Sequence, residues 1–288
     1  MCRRRRSHSR SRMPQLAMAD ALRYLGWSGF VIGARHSGAA RFVIDPPRGA
    51  DLSEPDGLGD GPVCLMISHG HPEHVEGAAD FLAQSRPRPA DIIASRALCR
   101  YLRRRSAQAS DRFHPCAPGD RLEVGGGVVD VFAWRHMPHL PPERHFARAH
   151  LAGLARRPGL AARIAWASLI GPAWTPMLGF RLTLPGGLRI MNYGEGLHRL
   201  LDEDEARRLS ARLPADLLLA AIEPEDLTVY ARLCRATGAA RIAPFEAHGP
   251  WRDAFGLGRV DLEKLHQSLE EAGLNVLALS GAAVDISR

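Results

Sequence analysis

Residues 67–77 read ISHGHPEHVEG and place three histidines and a glutamate within six positions. The run that leads into them, residues 63–67, is continuously apolar, with the length and β-branching of a buried strand. Pro72 stands where the first turn of a helix tolerates proline, and a helical pattern follows it. The polar residues therefore sit at a junction between a buried strand and a helix.

The four polar side chains of this junction have the chemistry of a metal site. His69 and His71 are two residues apart in extended chain, so their side chains project to the same side. Glu73 and His74 lie in the turn that enters the helix and can point back at the same space. Imidazole and carboxylate suit zinc, iron or manganese. One histidine here would fit a polar loop, but four potential ligands in six residues predict a metal cluster.

The rest of the chain alternates strands and helices. Short strands come first, mixed strands and helices follow, and the second half echoes the first, ending in a predicted strand pair at 276–279 and 283–286. This order predicts an α/β (α+β) fold in which two sheets pack face to face with helices outside. Residues 142–176 break the rhythm. They are helix-prone and rich in Ala, Arg and Trp, which predicts a helical insertion that acts as a lid or a homodimer element.

The charge is concentrated at the start of the chain. The 288 residues carry a formal net charge of +7, but residues 1–12 hold six arginines and no acid. The remainder has 32 basic and 31 acidic side chains and is nearly neutral. We interpret residues 1–20 as a disordered, Arg-rich leader, and 21–288 as the folded domain. The leader lacks the apolar core of a secretory signal. A neutral body argues against nucleic acid as the partner.

Composition and cysteine spacing narrow the class of protein further. The sequence is 45% hydrophobic and 24% charged, which is typical of a globular domain and excludes wholesale disorder. We find no uninterrupted apolar run long enough for a transmembrane helix. The five cysteines are widely spaced and form no C-x-x-C pair. This pattern predicts a reducing, cytoplasmic location without a disulfide framework or a cysteine zinc site.

The spacing His69-x-His71-x-Glu73-His74 resembles the H-x-H-x-D-H signature of the metallo-β-lactamase-fold metal-dependent hydrolases. The resemblance extends over residues 21–288 and includes a Leu-Gly-x-Ser-Gly-Phe opening and an Ile-Asp-Pro strand end at Asp45. It implies a four-layer αβ/βα sandwich with a one- or two-metal centre at the edge of the two sheets. Zinc is the metal expected first, with manganese or iron as alternatives.

The same resemblance implies ligands further along the chain. A third histidine is expected after the strand at 128–134, where His136 and His139 are both candidates. We favour His136 because it directly ends the strand and a ligand must be held by rigid backbone. Glu195 stands where the family places an aspartate, after a strand and beside glycines. His248 stands where the family places its last histidine.

Two glutamates replace aspartates of the family pattern. Glu73 and Glu195 keep a carboxylate, but each reaches one C–C bond, about 1.5 Å, further. Metal–oxygen distances of about 2.0–2.2 Å leave little slack. We therefore expect the first metal site to follow the family more closely than the second. The first site consists of His69, His71 and either His136 or His139. The second consists of Glu73, His74 and His248, and Glu195 lies between the two sites. A mononuclear or catalytically altered centre is an alternative.

Three residues receive further roles. Glu73 is a candidate catalytic proton shuttle, as the resemblance implies for the family's aspartate. Asp45, the other candidate catalytic residue, either orients a ligand histidine or is a turn residue before Pro46. His198, close to Glu195, is a candidate substrate-binding residue, a support for a ligand, or a solvated loop histidine. Ser28 and Ser68 lack the G-x-S-x-G context of a nucleophile.

These residues predict a metal-dependent hydrolase that uses a metal-activated water on a small ester, lactone or phosphodiester. A second hypothesis is a metal-binding protein in which the two glutamates have removed turnover. A third is a nucleic-acid-processing member of the fold, which the arginine leader favours and the neutral body opposes. Substrate identity in this fold depends on loops and insertions, so the sequence does not choose among these substrates.

Overall fold

The structure is a computed structural model that describes residues 20–34, 38–50, 52, 61–84, 89–136, 144–159, 161–162, 165, 174–222, 227–249, 252–253, 256 and 258–287. In chain order the elements are β1 (Asp20–Gly26), β2 (Gly29–Ala34), β3 (Arg41–Ile44), β4 (Val63–Met66), α1 (Pro72–Leu82), β5 (Ala90–Ser95), α2 (Arg96–Arg103), β6 (Arg112–Cys116), β7 (Arg121–Val124), β8 (Gly127–Ala133), α3 (Arg144–Arg156), β9 (Leu178–Thr183), β10 (Arg189–Asn192), α4 (Glu203–Arg212), β11 (Leu217–Ala221), α5 (Leu227–Ala236), β12 (Arg241–Phe245), α6 (Leu262–Glu271) and β13 (Val284–Asp285).

The strands form two mixed sheets. The first has the order β13-β1-β2-β3-β4-β5-β6, and the second has the order β12-β11-β10-β9-β8-β7. In the first sheet, β3, β4, β5 and β6 pair in parallel, and the flanking pairs are antiparallel. In the second sheet, β10, β11 and β12 pair in parallel, while β9 runs against both β8 and β10.

Three apolar clusters separate the layers. One fills the space between the sheets, where Phe30 and Phe42 of the first sheet meet Phe180 and Phe245 of the second. Another joins the outer face of the first sheet to α1 and α2, and the third joins the outer face of the second sheet to α4, α5 and α6. The strands alternate between these clusters because successive side chains point to opposite faces. The predicted fold, two sheets packed face to face with helices outside, is confirmed.

Two details of the prediction were wrong, and each has a physical reason. We did not predict β6, which contains Pro115 and alternates poorly; as an edge strand it tolerates a proline that a central strand would not. The final strand pair does not form: Val276 makes an isolated bridge to Ile242 of the second sheet, whereas β13 pairs with β1 of the first. Short apolar runs of this kind carry no information about which sheet they join.

The predicted domain limits are only partly covered by the structure. Residues 1–19 lie outside the described residues, and β1 begins at Asp20. The predicted insertion at 142–176 contains α3, and several of its residues lie outside the described part. Its role as a lid or homodimer element stays a prediction.

The topology brings several strand ends to one edge of the sandwich. In the first sheet β3 and β4 run in the same direction, and in the second β8, β10 and β12 do so, because β8 and β10 both oppose β9. The main chain of Ser68, after β4, accepts a hydrogen bond from the N–H of Leu178 in β9 at 2.9 Å, so the two sheets meet there. Segments that leave the carboxyl ends of parallel strands share one crevice, which is where such sheets bind ligands.

Candidate metal centre

Four side chains from three of these strand ends converge. His69 and His71 follow β4, His136 follows β8 and Glu195 follows β10. One potential ligand atom from each lies within 4.8 Å of the others. His69, His71 and Glu195 are buried and His136 is half-buried. These are the groups predicted for the first metal site, with the glutamate predicted to lie between the sites.

Hydrogen bonds fix the ring of His69 in one tautomer. Ser68 donates its main-chain N–H to Asp45 Oδ1 at 2.7 Å and its hydroxyl to Asp45 Oδ2 at 2.5 Å. The Ser68 oxygen can then only accept from His69 Nδ1, which lies 2.9 Å away. His69 Nε2 is left with a lone pair, and it faces His71 Nδ1 at 3.0 Å. Burial, followed by the neighbouring histidines His74 and His71, holds the pKa of His69 well below its usual value.

Asp45 is therefore a supporting residue as well as a turn residue. It is fully buried and adopts a left-handed backbone with φ 40°, which aspartate tolerates better than most residues. This bend follows β3 and turns the carboxylate toward Ser68 and His74. The approach of α1 to the same loop is close: a Cβ at Gly77 would lie 2.1 Å from the Pro46 carbonyl oxygen. The loop thus positions both the strand and the helix that carry candidate ligands.

His74 lies between two carboxylates. Its Nδ1 is 3.0 Å from Asp45 Oδ2, and its Nε2 is 3.1 Å from Glu195 Oε1. Burial lowers the pKa of His74, but the charges of Asp45 and Glu195 outweigh burial and raise this pKa well above its usual value. In the metal-free protein the two carboxylates therefore favour the protonated form of the ring. The ring must release the Nε2 proton to bind a cation.

Glu195 is the hub of the cluster. Oε2 lies 2.9 Å from His136 Nε2 and 3.7 Å from His248 Nε2, while Oε1 also accepts from the Ser28 hydroxyl at 3.3 Å. Burial raises the pKa of Glu195, but His248 and His74 and the hydrogen bonds from the histidines outweigh it and hold the pKa well below its usual value. The carboxylate is thus ionised, and it connects the predicted first site with the histidines of the second.

The loop that carries Glu195 packs closely on Trp134. Gly194 has φ 59°, a left-handed backbone that favours glycine, and its N–H donates to the Asn192 side-chain oxygen at 3.0 Å. A Cβ at Gly194 or Gly196 would lie 2.9 Å from atoms of Trp134. The Trp134 ring in turn stands perpendicular to the His69 ring at a centroid distance of 5.3 Å. Trp134 therefore packs against both the loop that carries Glu195 and the ring of His69.

Glu73 and His248 lie around the cluster. Glu73 is in the first turn of α1, with Oε1 3.9 Å from His71 Nδ1. Its Oε2 is buried and has no hydrogen-bond partner among the described residues. A buried, unpartnered carboxylate oxygen is costly, and a cation or a polar substrate group beside it would remove that cost. The His248 side chain is 23% exposed, and its Nε2 is 3.7 Å from Glu195 Oε2.

The remaining predicted residues have different outcomes. His139 lies outside the described residues, whereas His136 is in the cluster. His198 is buried, and both ring nitrogens contact main chain: Nε2 lies 2.9 Å from the Arg135 oxygen, and Nδ1 accepts from the Leu200 N–H at 3.2 Å. Burial is the largest cause that lowers the pKa of His198. Its predicted contact with substrate stays a prediction.

Two supporting residues were not predicted from sequence. Ser68 and Ser28 were considered only as nucleophiles, and both instead hold a side chain of the cluster. Ser68 directly precedes His69, so its position offered a signal. Ser28 lies 167 positions from Glu195, and nothing in the sequence pairs them.

A comparison with curated proteins finds one distant relative. The chain is 29% identical over 105 residues to a protein from Mesorhizobium japonicum described as a UPF0173 metal-dependent hydrolase. The match covers 35% of this chain and 43% of that relative, so it spans less than half the relative's length. No protein-family model matches the chain.

Solved structures match the fold over nearly the whole chain. Igni18, a metallo hydrolase from Ignicoccus hospitalis, aligns with a TM-score of 0.63 at 13% identity, covering 94% of this chain and 99% of Igni18. YhfI, a metallo-β-lactamase-fold protein from Bacillus subtilis, aligns at 0.60 and 12% identity, covering 93% and 100%. CmlA, a diiron β-hydroxylase from Streptomyces venezuelae, aligns at 0.56 and 11% identity, covering 93% of this chain and 54% of CmlA.

The chain therefore has the metallo-β-lactamase fold that the resemblance in residues 69–74 implied. Identities of 11–13% establish the architecture alone. The reaction must be argued from the site.

Two other features bear on the sequence predictions. Among the described helices, none combines the length and the apolar character needed to cross a membrane. Cys64, Cys99, Cys116 and Cys234, the four cysteines within the described residues, are buried free thiols. Cytoplasmic location stays a prediction.

Proposed function

We propose that this protein is a metal-dependent hydrolase whose metal is held by His69, His71, His136 and Glu195. One observation carries the proposal: ligand atoms of all four side chains lie within 4.8 Å of one another at the edge of the two sheets. Three imidazoles and one carboxylate form a donor set that suits zinc, manganese or iron. The relative from Mesorhizobium japonicum is named a metal-dependent hydrolase, which supports the same conclusion.

The protonation states favoured for His69 and Glu195 suit a site that binds a cation better than a polar cluster without one. His69 presents a lone pair because Ser68 occupies its other nitrogen. The burial of His69 also disfavours its own positive charge, so a bound cation would not compete with an imidazolium there. Glu195 supplies a negative charge that would neutralise part of the charge on the ion. A buried ionised carboxylate among imidazoles is the arrangement expected of a ligand set.

A second ion would be held by His74 and His248, with Glu195 shared between the two positions. His74 is now occupied by Asp45 and Glu195, so it gains a lone pair only by releasing a proton. We therefore propose that the first site fills at lower metal concentration than the second. Zinc is the metal we propose first. Iron is an alternative, since CmlA, a neighbour in fold, is described as a diiron protein.

The chemistry of the reaction divides between the ion and the protein. A bound zinc ion would polarise the substrate and lower the pKa of a coordinated water toward about 7. We assign to Glu73 the uptake of a proton from water; the support is that its Oε2 is buried and unpartnered among the described residues, beside the cluster. Asp45 and Ser68 hold His69, and Trp134 supports the ring. These groups suit hydrolysis of a small ester, lactone or phosphodiester.

A panel of chromogenic substrates tests the proposal: a p-nitrophenyl ester, bis-p-nitrophenyl phosphate, and a small lactone followed by pH indicator. Metal-free protein should be inactive, and addition of Zn²⁺ or Mn²⁺ should restore turnover of at least one substrate. His71→Ala should lose it. His114→Ala, which removes a histidine on edge strand β6, is the matched control and should retain it. Metal-independent turnover, or equal activity of both variants, would refute the proposal.

The second candidate function is metal binding without turnover. The carboxylate of Glu195 lies between His136 and His74, and with the longer side chain it occupies the region between the two predicted metal positions. Metal stoichiometry separates the candidates. One tightly bound ion per chain with no activity on the panel favours binding alone, whereas activity that rises with bound metal favours the hydrolase. The Arg-rich leader, on which nucleic-acid processing depended, lies outside the described residues.

A further inference from the structure

His198 connects the two loops that carry His136 and Glu195. It lies three residues after Glu195, and its Nε2 is 2.9 Å from the main-chain oxygen of Arg135, the residue directly before His136. A carbonyl oxygen only accepts, so Nε2 carries the proton. Nδ1 lies 3.2 Å from the Leu200 N–H and therefore accepts. Both polar atoms of the ring are used within the protein.

This bond closes a ring of contacts between the loops. On one side, His198 binds the main chain next to His136; on the other, the side chains of His136 and Glu195 meet at 2.9 Å. His136 lies beyond the end of β8, where the contact between the Trp134 N–H and the Met177 oxygen has already lengthened to 3.4 Å. A side chain that holds the Arg135 carbonyl therefore restricts the main chain from which His136 projects.

We propose that His198 is a positioning residue that holds His136 in place for metal binding by hydrogen bonding the Arg135 carbonyl. This inference rests on the proposed function, because it assigns His136 as a ligand. Of the roles that the sequence leaves open for His198, this proposal selects support of a ligand. Groups that orient a ligand are expected to change metal affinity about 10- to 100-fold when they are removed.

Three substitutions separate the bond to Arg135 from the local bond to Leu200. His198→Gln carries an amide N–H at about the reach of Nε2 and can keep the bond to Arg135. His198→Asn is shorter; its oxygen can accept from the N–H two residues on, as asparagine does in turns, but its amide falls short of Arg135. His198→Ala loses both bonds. His114→Asn is the control, a histidine that contacts Asp91 on the first sheet instead.

Two measurements are made on the full chain. Co²⁺ affinity is determined by competition with a chromophoric chelator, together with the visible spectrum of the bound ion. Amide hydrogen exchange of residues 134–136 is measured in the metal-free protein. We expect His198→Asn and His198→Ala to bind Co²⁺ about tenfold more weakly, with an altered spectrum and faster exchange. His198→Gln and His114→Asn should bind and exchange like the wild type.

Wild-type affinity and exchange in His198→Asn would overturn the inference, because the bond to Arg135 would then be dispensable. An equal loss in His198→Gln and His198→Ala would also overturn it. Urea denaturation of each metal-free variant, with comparisons made well below its midpoint, separates lost positioning from loss of the fold. Failure of wild-type protein to bind Co²⁺ would instead refute the proposed function, and the exchange measurement would still test the bond to Arg135.

Discussion

Replacing Glu195 by glutamine removes one charge at the centre of the cluster while keeping the size of the side chain. The wild-type carboxylate contacts His136 at 2.9 Å and His74 at 3.1 Å, with the Ser28 hydroxyl at 3.3 Å and His248 at 3.7 Å. Oε2 and His136 Nε2 form a close ion pair, whereas the contacts of Oε1 with His74 and with the Ser28 hydroxyl are hydrogen bonds. The contact to His248 is too long for one.

The magnitude follows from these contacts. Hydrogen bonds to charged groups are worth about 1.5–3 kcal/mol each, and removing one partner of a buried ion pair costs about 3–5 kcal/mol. Glutamine keeps one carbonyl oxygen, so we expect the lower end: the free energy of unfolding of the metal-free protein should fall by about 3 kcal/mol. Zn²⁺ binding should also raise the free energy of unfolding of the wild type, by about 2.7 kcal/mol when free Zn²⁺ is 100 times its dissociation constant. Glu195→Gln should lose most of that gain.

The assay is urea denaturation at neutral pH, with and without Zn²⁺. Glu203→Gln is the control, because Glu203 is also ion-paired, with Arg207 and Arg232, but lies on α4. Its gain with Zn²⁺ should equal that of the wild type. An undiminished Zn²⁺ gain in Glu195→Gln would refute the assignment of Glu195 as a ligand.

The pH dependence of the same experiment has a definite sign. The folded-state pKa of Glu195 lies below its usual value. Its contribution to stability is therefore present above the unfolded pKa, near 4.3, and is lost as the pH falls through the folded value. The difference in the free energy of unfolding between the metal-free wild type and metal-free Glu195→Gln should become smaller in acid. A difference that grows as the pH falls would contradict the ionised state.

Three further predictions concern the supports of the cluster and the sheet. Ser68→Ala should weaken Co²⁺ binding about tenfold in a chelator competition, because it removes the acceptor for the His69 ring. Gly77→Ala should lower the free energy of unfolding in urea by about 2 kcal/mol, because overpacking of about 3 kcal/mol outweighs about 1 kcal/mol of helix propensity. Asp91→Asn should cost about 1–2 kcal/mol at pH 7, since the Arg112 partner is exposed. In acid denaturation curves this cost should begin to fall near the unfolded pKa, about 3.9, and should be lost as the pH falls through the lowered folded pKa of Asp91.

Each of these three predictions would be contradicted by a specific result. For Ser68 the control is Ser95→Ala, which loses an N-cap bond at α2, about 1 kcal/mol, without affecting Co²⁺; equal affinities in both variants would refute the role of Ser68. A stabilised Gly77→Ala would contradict the close approach of α1 to the loop after β3. For Asp91, hydrogen bonds from Arg112 and His114 outweigh burial and lower its pKa, so a cost that grows as the pH falls below about 3.9 would contradict this ion pair.

The sequence predicted the elements of the fold well where periodicity was local. The junction at residues 67–77 identified a buried strand, a helix and their histidines, because all of the signal lies within eleven positions. Its resemblance to a known fold then predicted the layers. Local sequence patterns failed to predict β6, where an edge position overrides the effect of a proline. They also wrongly predicted a strand at residues 276–279, where one bridge forms instead.

Within the site, the sequence identified ligand types better than supports. His69 and His71 could be paired from spacing, and His136 from its place at a strand end. The bonds of Ser28 to Glu195 and of His198 to Arg135 join loops that are 167 and 63 positions apart. No periodicity relates such positions, because the contacts depend on how the two sheets are stacked. The supports therefore required the structure.

Anomalous diffraction from crystals of the Zn²⁺-loaded protein, recorded on both sides of the zinc edge, tests the central claim most directly. The account predicts a peak with His69, His71 and His136 nitrogens about 2.0–2.1 Å away and a Glu195 oxygen beside it. A second, weaker peak near His74 and His248 would agree with the proposed order of filling. If zinc were found elsewhere on the protein, with these four side chains still in contact only with one another, the metal-centre account would be wrong.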